Sequence, residues 1–393
     1  MNKKNLLLVL MLTLALILRL VNLSFPPQFY FDENYSAFTA VALSRGNTPV
    51  IWKPMSQPID PPRGYEWSHP PLTRILIAAS ITILGNHPWV WRLTSVLAGV
   101  GTILIIYLIG KALFSKTVGL LAAFLISFDG LSFAQSRIAT RDALLVFLVT
   151  TSLYLILRNH RFFSALLAGF ALAAKWTSLP LLPLLVFTSH RSTKGKRRSL
   201  LRHILLVIAI PPLSYLAAYL PYFASGFTLT DFIILQKTMF THLFAHGFRL
   251  TTAHPLNAPW WLWPLGLKPL PYYQSGAEQV WAAPNLLVFW LGIVALGCTV
   301  RAFVKNRPKS LLLIFTGYLA FYVPWPILHA LSGSTKTSYL YYYLPALPFL
   351  HLLSAYWLSR GLSQPGIARP AALVTLAMVP LVFFSLYPRL IGL

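Results

Sequence analysis

The chain is a succession of apolar runs, each about as long as a bilayer's hydrocarbon core requires of a helix. They are Leu6–Leu23, Leu93–Phe114, Val118–Phe133, Ala143–Leu157, Ile204–Phe223, Leu286–Val304, Leu311–Leu328, Leu340–Leu358 and Ala371–Leu386. A core of about 30 Å takes roughly 20 residues of helix, and the shorter runs cross with help from their flanks. Only 10% of the 393 residues are charged, against roughly 25% in a soluble globular chain, so a polytopic all-α membrane bundle is expected. The 32 Lys+Arg against 8 Asp+Glu do not point to nucleic acid, because the basic residues punctuate the apolar runs instead of forming one stripe. The single cysteine, Cys298, excludes an intramolecular disulfide and a thiolate metal site.

Charge placement orients the bundle. Lys3 and Lys4 precede the first run, and no small-x-small cleavage site follows it, so it reads as a retained span with a cytoplasmic N-terminus. Phe162–Phe187 is long enough for one helix but carries Lys175 at its middle and basic clusters on both sides, Arg158 and Arg161 before it and Arg191 to Arg202 after it. Two cytoplasmic ends need an even number of crossings, so the segment is expected to be a hairpin of two short spans with Lys175 at its tip. About eleven spans result. The inner loops then hold 18 of the 32 basic residues and no acid. The positive-inside rule gives acids little weight, so their segregation needs another cause, and chemistry on the outer face is the expectation. Two outer loops, 25–91 and 224–283, are too long for simple connectors and are rich in aromatics and proline. In the first, Tyr35–Leu43 and Leu72–Leu84 have the spacing of interfacial helices.

The chemistry-bearing residues lie in these loops and at the outer ends of spans. Asp32 and Glu33 follow span one; they either cap the next helix and complement its dipole, or supply a carboxylate general base for an incoming hydroxyl. His69 stands before Pro70 and Pro71, which suit a helix start. Arg92 opens a span, SRIATRD places Arg137, Arg141 and Asp142 together, and with Lys175 these are four outer cations. Each could anchor its own helix, or they could converge on a phosphate. The second loop carries His254 and the WWLW cluster with Trp260 and Trp261, and a later outer mouth carries Tyr342. These aromatics fit an interfacial belt or a stacking wall for a sugar or polyprenyl chain.

In order, Asp-Glu after span one, HPPL, WRL, SRxxxRD, AxKWT, HPxxxxxWWxWPL and YxYLPALPF resemble the dolichyl-phosphate-mannose protein mannosyltransferases and their bacterial relatives, membrane glycosyltransferases of the C-type fold. The resemblance runs from about Leu6 to Leu386 and implies one membrane glycosyltransferase domain over residues 1–393. It implies transfer of a sugar, usually mannose, from a polyprenyl (dolichyl) phosphate to a Ser or Thr hydroxyl on the outer face of a cell membrane. By the same resemblance Asp32 is the base, Glu33 its partner at the acceptor, and Arg92 the arginine on the lipid phosphate, with Arg137, Arg141 and Lys175 near that phosphate. His69, Asp142, His254, Trp260, Trp261 and Tyr342 are further site candidates. The 60 residues of the second loop leave no room for the soluble lumenal domain of eukaryotic members, so transfer to a glycolipid or glycan acceptor stays open.

Direct displacement by the hydroxyl inverts the anomeric centre and needs one carboxylate and one or two cations. No cofactor is therefore expected, although an acidic pair can recruit a divalent metal. The reading from another class is a transporter or flippase of a lipid-linked substrate, which would place ionisable residues near mid-membrane and show inverted repeats. Here the charges gather outside and no repeat is visible.

Overall fold

The computed structural model describes residues 3–46, 49–55, 59–192, 197–243, 256–305, 308–331 and 338–393. Every apolar run has a helical counterpart. Helix α1 is Lys3–Leu20; α2 (Ser36–Ser44) and α3 (Leu72–Leu84) occupy the first long loop; α4 is Pro88–Leu113 and α5 Lys116–Ser127. Then come α6 (Gly130–Gln135), α7 (Asp142–Leu157), α8 (Arg161–Ala174), α9 (Leu181–Ser192), α10 (Arg197–Ala217), α11 (Leu220–Ala224) and α12 (Leu229–Thr241). Helices α13 (Leu286–Lys305), α14 (Lys309–Tyr322), α15 (Pro324–Leu331), α16 (Leu347–Ser363) and α17 (Ala368–Ile391) complete the bundle. By length and composition, α4, α10 from Leu200, α13, α14 with α15, and α17 can each cross a membrane unaided.

Local chemistry explains where the helices start and stop. Ser115 caps α5 by accepting from the Val118 N–H, and Thr228 forms a capping box with Asp231 at α12. The run Val118–Phe133 is divided because Asp129 accepts from the N–H groups of Leu131 and Ser132 and so starts α6 as a separate helix. The segment around Lys175 breaks as expected. Helix α8 stops at Ala174, Lys175 is extended (φ −163°, ψ 135°), and a 3₁₀ turn over Trp176–Ser178 leads to α9. Interfacial helices α2 and α3 sit within a residue of their expected bounds.

One core joins α1, α4 to α10 and α13 to α17. Helix α4 packs on α5 and α7, α7 on α8, α8 on α10, and α16 on α5, α13 and α14. Small residues allow the closest crossing: a Cβ on Gly110 of α4 would lie 2.8 Å from the Gly119 Cα of α5. The end of α1 is tied to α17, with the Tyr387 hydroxyl donating to the Leu18 carbonyl and the Asn22 amide donating to the Ile391 carbonyl, each at 2.9 Å.

The second long loop departs from an all-helical reading. Strands β1 (Leu270–Ser275) and β2 (Glu278–Ala282) pair antiparallel, Leu270 opposite Ala282 and Ser275 opposite Glu278, with a register shift between Pro271 and Tyr273. Gly276, at φ +58°, supplies the left-handed turn conformation, and Leu270, Tyr272, Val280 and Ala282 point into the core. That period-2 burial was written in the sequence but hidden among interfacial aromatics.

Candidate active site

The loop from α1 to α2 is wound around Arg92. Its guanidinium is fully buried and donates from Nη1 to the carbonyls of Leu23 and Phe25, and from Nη2 to those of Pro26 and Gln28. Nε and Nη2 also hold Glu33 in a two-pronged pair at 2.8 and 2.9 Å. The Ala139 N–H donates to the same carboxylate at 2.9 Å, joining this loop to the turn before α7. Phe31 adopts φ +49°, costly for a bulky residue, while stacked on Tyr272 with ring centroids 4.5 Å apart. Beyond this bend Glu33 points inward to Arg92 and the Asp32 carboxylate faces a cavity.

That cavity, of about 360 Å³, is bordered by Asp32, Glu66, His69, Arg141 and Tyr341, with Tyr65, Trp67 and His242 among the other walls. Its size is in the range of small-molecule sites. The Asp32 side chain is a quarter exposed, and its Oδ2 accepts from Arg141 Nη2 at 3.2 Å. Arg141 Nη1 donates to Glu66, so one guanidinium serves two carboxylates. Burial pushes the Asp32 carboxyl above the ordinary carboxylate range; Arg141 and Lys175 oppose this, and the negative charges of Glu66 and Asp142 add to it. Burial, then the cations Arg141, Lys175 and Arg74, hold the His69 imidazole well below its usual range, so it is neutral near pH 7. Behind Tyr341 lies a second pair, Lys175 Nζ to Asp142 Oδ1 at 2.8 Å, with the ammonium 5.3 Å from the ring centroids of Tyr341 and Tyr342.

Comparison with known proteins agrees with this architecture. The family profile described as dolichyl-phosphate-mannose-protein mannosyltransferase matches residues 68–215, and that of the C-terminal four-transmembrane region of protein O-mannosyltransferase matches residues 228–393. The chain belongs to the protein mannosyltransferase family. A polyprenol-phosphate-mannose–protein mannosyltransferase of Mycolicibacterium smegmatis is 25% identical over 97% of this chain and 88% of its own length. One from Mycobacterium tuberculosis is 25% identical over 83% and 77%. Among solved structures, the Saccharomyces cerevisiae Pmt1–Pmt2 complex bound to the sugar donor superposes with a TM-score of 0.81 at 12% identity, covering 100% of this chain and 90% of that one. ArnT from Cupriavidus metallidurans bound to undecaprenyl phosphate gives 0.64 at 16% identity, over 97% and 64%. These likenesses show the membrane glycosyltransferase fold.

In this mannosyltransferase the expected outer cations divide into two groups. Arg141 borders the cavity and Lys175 stands one layer behind it. Arg92 does not border that cavity: each of its N–H groups has a protein acceptor, and it ties the loop together. Arg137 is likewise committed, donating to the carbonyls of Arg19 in the last turn of α1 and of Val21 and Asn22 just beyond it, at 2.6, 2.7 and 3.2 Å. Glu33, expected at the acceptor, is fully buried against Arg92. Neither acid caps a helix with its side chain. Trp260 packs on Tyr322, and Trp261, 48% exposed, lies edge-on to His329; neither borders the Asp32 cavity. Tyr342 stacks on Trp325 with ring centroids 4.6 Å apart, and His254 lies outside the described residues. Sequence reasoning missed Glu66 and Tyr341. Glu66 is the acid just upstream of the HPP motif, and that nearness was the available signal.

Proposed function

We propose that the protein transfers mannose from a polyprenyl (dolichyl) phosphate to a Ser or Thr hydroxyl of protein at the outer membrane face, inverting the anomeric centre. The reading rests above all on Asp32, a partly exposed carboxylate presented to a cavity and hydrogen-bonded to a cation on that cavity's wall. The relatives named above, whose names specify a polyprenol-phosphate-mannose donor and a protein acceptor, supply the substrate class.

Asp32 accepts the proton of the acceptor hydroxyl as its oxygen forms a bond to the anomeric carbon. The bond from that carbon to the phosphate oxygen breaks, and the polyprenyl phosphate leaves with the electron pair. Arg141 stabilises charge developing on the phosphate, with Lys175 contributing from behind Tyr341. Raised basicity suits Asp32 to this task, since a base works best when its pKa approaches the operating pH. The neutral His69 imidazole can donate or accept a hydrogen bond at the sugar without adding charge.

The test is transfer of labelled mannose from polyprenyl-phosphate-mannose to a Ser/Thr peptide in sided membrane vesicles, wild type against Asp32→Asn. Loss of transfer with donor binding retained is expected, with product formed only by vesicles exposing the outer face and of inverted configuration. Wild-type rates from Asp32→Asn would remove the base, and label appearing only in lipid would remove the protein acceptor.

A further inference from the structure

We propose that Glu66 is a positioning residue for this reaction: by holding one arm of Arg141 at the cavity wall it leaves Asp32 a single bond to that guanidinium, and so keeps Asp32 basic enough to take the acceptor proton. The inference rests on reading Asp32 as the base.

A guanidinium facing one carboxylate tends to form two parallel hydrogen bonds with it. Arg141 does not do so with Asp32. Nη2 goes to Asp32 at 3.2 Å and Nη1 goes to Glu66. Nε is buried with no hydrogen-bond partner among the described residues, so two acids set the orientation of the group at the expense of its third nitrogen. Glu66 is fixed independently of Arg141. Its backbone N–H donates to the Thr39 hydroxyl of α2 at 2.7 Å, the Ser68 hydroxyl donates to Oε1 at 3.3 Å, and the residue is 5% exposed. Glu66 is therefore a fixed post to which Arg141 is drawn.

The groups facing Asp32 come from every element around it. Arg141 and Asp142 lie at the start of α7, Tyr35 before α2, Tyr65, Glu66 and His69 before α3, Lys175 at the break between α8 and α9, His242 at the end of α12, Tyr272 on β1, and Tyr339, Tyr341 and Tyr342 before α16. Within this set Glu66 is the carboxylate that shares Asp32's own cation. Removing its charge favours ionised Asp32 twice over, by deleting a nearby negative charge and by releasing Arg141 to pair with Asp32 alone.

The experiment measures kcat and KM against pH for the purified full chain, with polyprenyl-phosphate-mannose and a Ser/Thr peptide. In Glu66→Gln the acid limb of kcat/KM should move to lower pH by about one unit and the plateau kcat should fall several-fold, with the donor KM within about twofold of wild type. Glu66→Asp, which keeps the charge, should lie between Glu66→Gln and wild type. A purely architectural role would lower the active fraction and leave the limb in place, and that result overturns the proposal. If Glu66→Gln gives no folded protein, the Glu66→Asp limb decides alone: a downward shift supports the proposal and a wild-type limb overturns it. Asp32→Asn runs in parallel. If it is active, the base reading falls; if it is inactive while the Glu66→Gln limb is unmoved, only the role of Glu66 falls.

Discussion

Replacing Arg92 by methionine keeps most of its volume and removes its charge, and the structure predicts that the damage falls on folding rather than on donor use. Glu33 would remain fully buried with the Ala139 N–H as its remaining donor, and the carbonyls of Leu23, Phe25, Pro26 and Gln28 would lose theirs. Breaking a buried ion pair from one side typically costs about 3–5 kcal/mol, a factor of roughly 150 to 4,000 in the folding equilibrium. Glu33→Gln also breaks the pair. The double variant should recover part of the loss, because no uncompensated charge stays buried. Thermal inactivation and size-exclusion profiles of detergent-purified wild type, both single variants and the double variant measure this coupling, and donor KM is then read on the folded fraction. A wild-type melting profile for Arg92→Met together with a tenfold rise in donor KM would refute the reasoning and put the guanidinium on the phosphate.

Other expectations concern separate sites. Because burial raises the Asp32 pKa and the base must be ionised, kcat/KM should fall as pH drops through a value above the usual 3.8, which a pH–rate profile locates. Lys175→Met strips the partner from Asp142, whose side chain is 3% exposed, and should cost about 3–5 kcal/mol, seen as loss of folded protein in detergent. Gly110→Ala places a methyl 2.8 Å from the Gly119 backbone and should destabilise the crossing of α4 and α5 by about 1–3 kcal/mol, read as earlier thermal inactivation with KM unchanged.

The helices were legible because burial in lipid demands long apolar runs, and the break at Lys175 was legible because charge placement demanded a second crossing. The partners of the charged residues were not. Glu33 meets Arg92 across 59 positions, Glu66 meets Arg141 across 75 and Asp32 meets Arg141 across 109. No local period encodes such meetings. Four cations near the ends of apolar runs were legible as a group, but a guanidinium serving backbone carbonyls and one serving a cavity look alike in sequence. Arg92 and Arg137 became loop and helix-end clamps, while Arg141 stayed at the site. Beyond its nearness to the HPP motif Glu66 had no such signal, because an isolated acid in a long loop rich in aromatics and proline has no signature until the fold brings a cation to it.

The ties between α1 and α17 bear on how the protein matures. Tyr387 and Ile391 hold Leu18 and Asn22 across 369 positions, and the loop that presents Asp32 begins at this junction. During synthesis the first helix enters the membrane long before its latch exists, so the loop that presents Asp32 lacks its final anchor until translation has passed residue 391. Nascent chains halted before Tyr387 should insert most of the bundle and still be inert, and stepwise release from stalled ribosomes would show activity arriving with α17. Such timing would spare the lipid-linked donor from half-built enzyme.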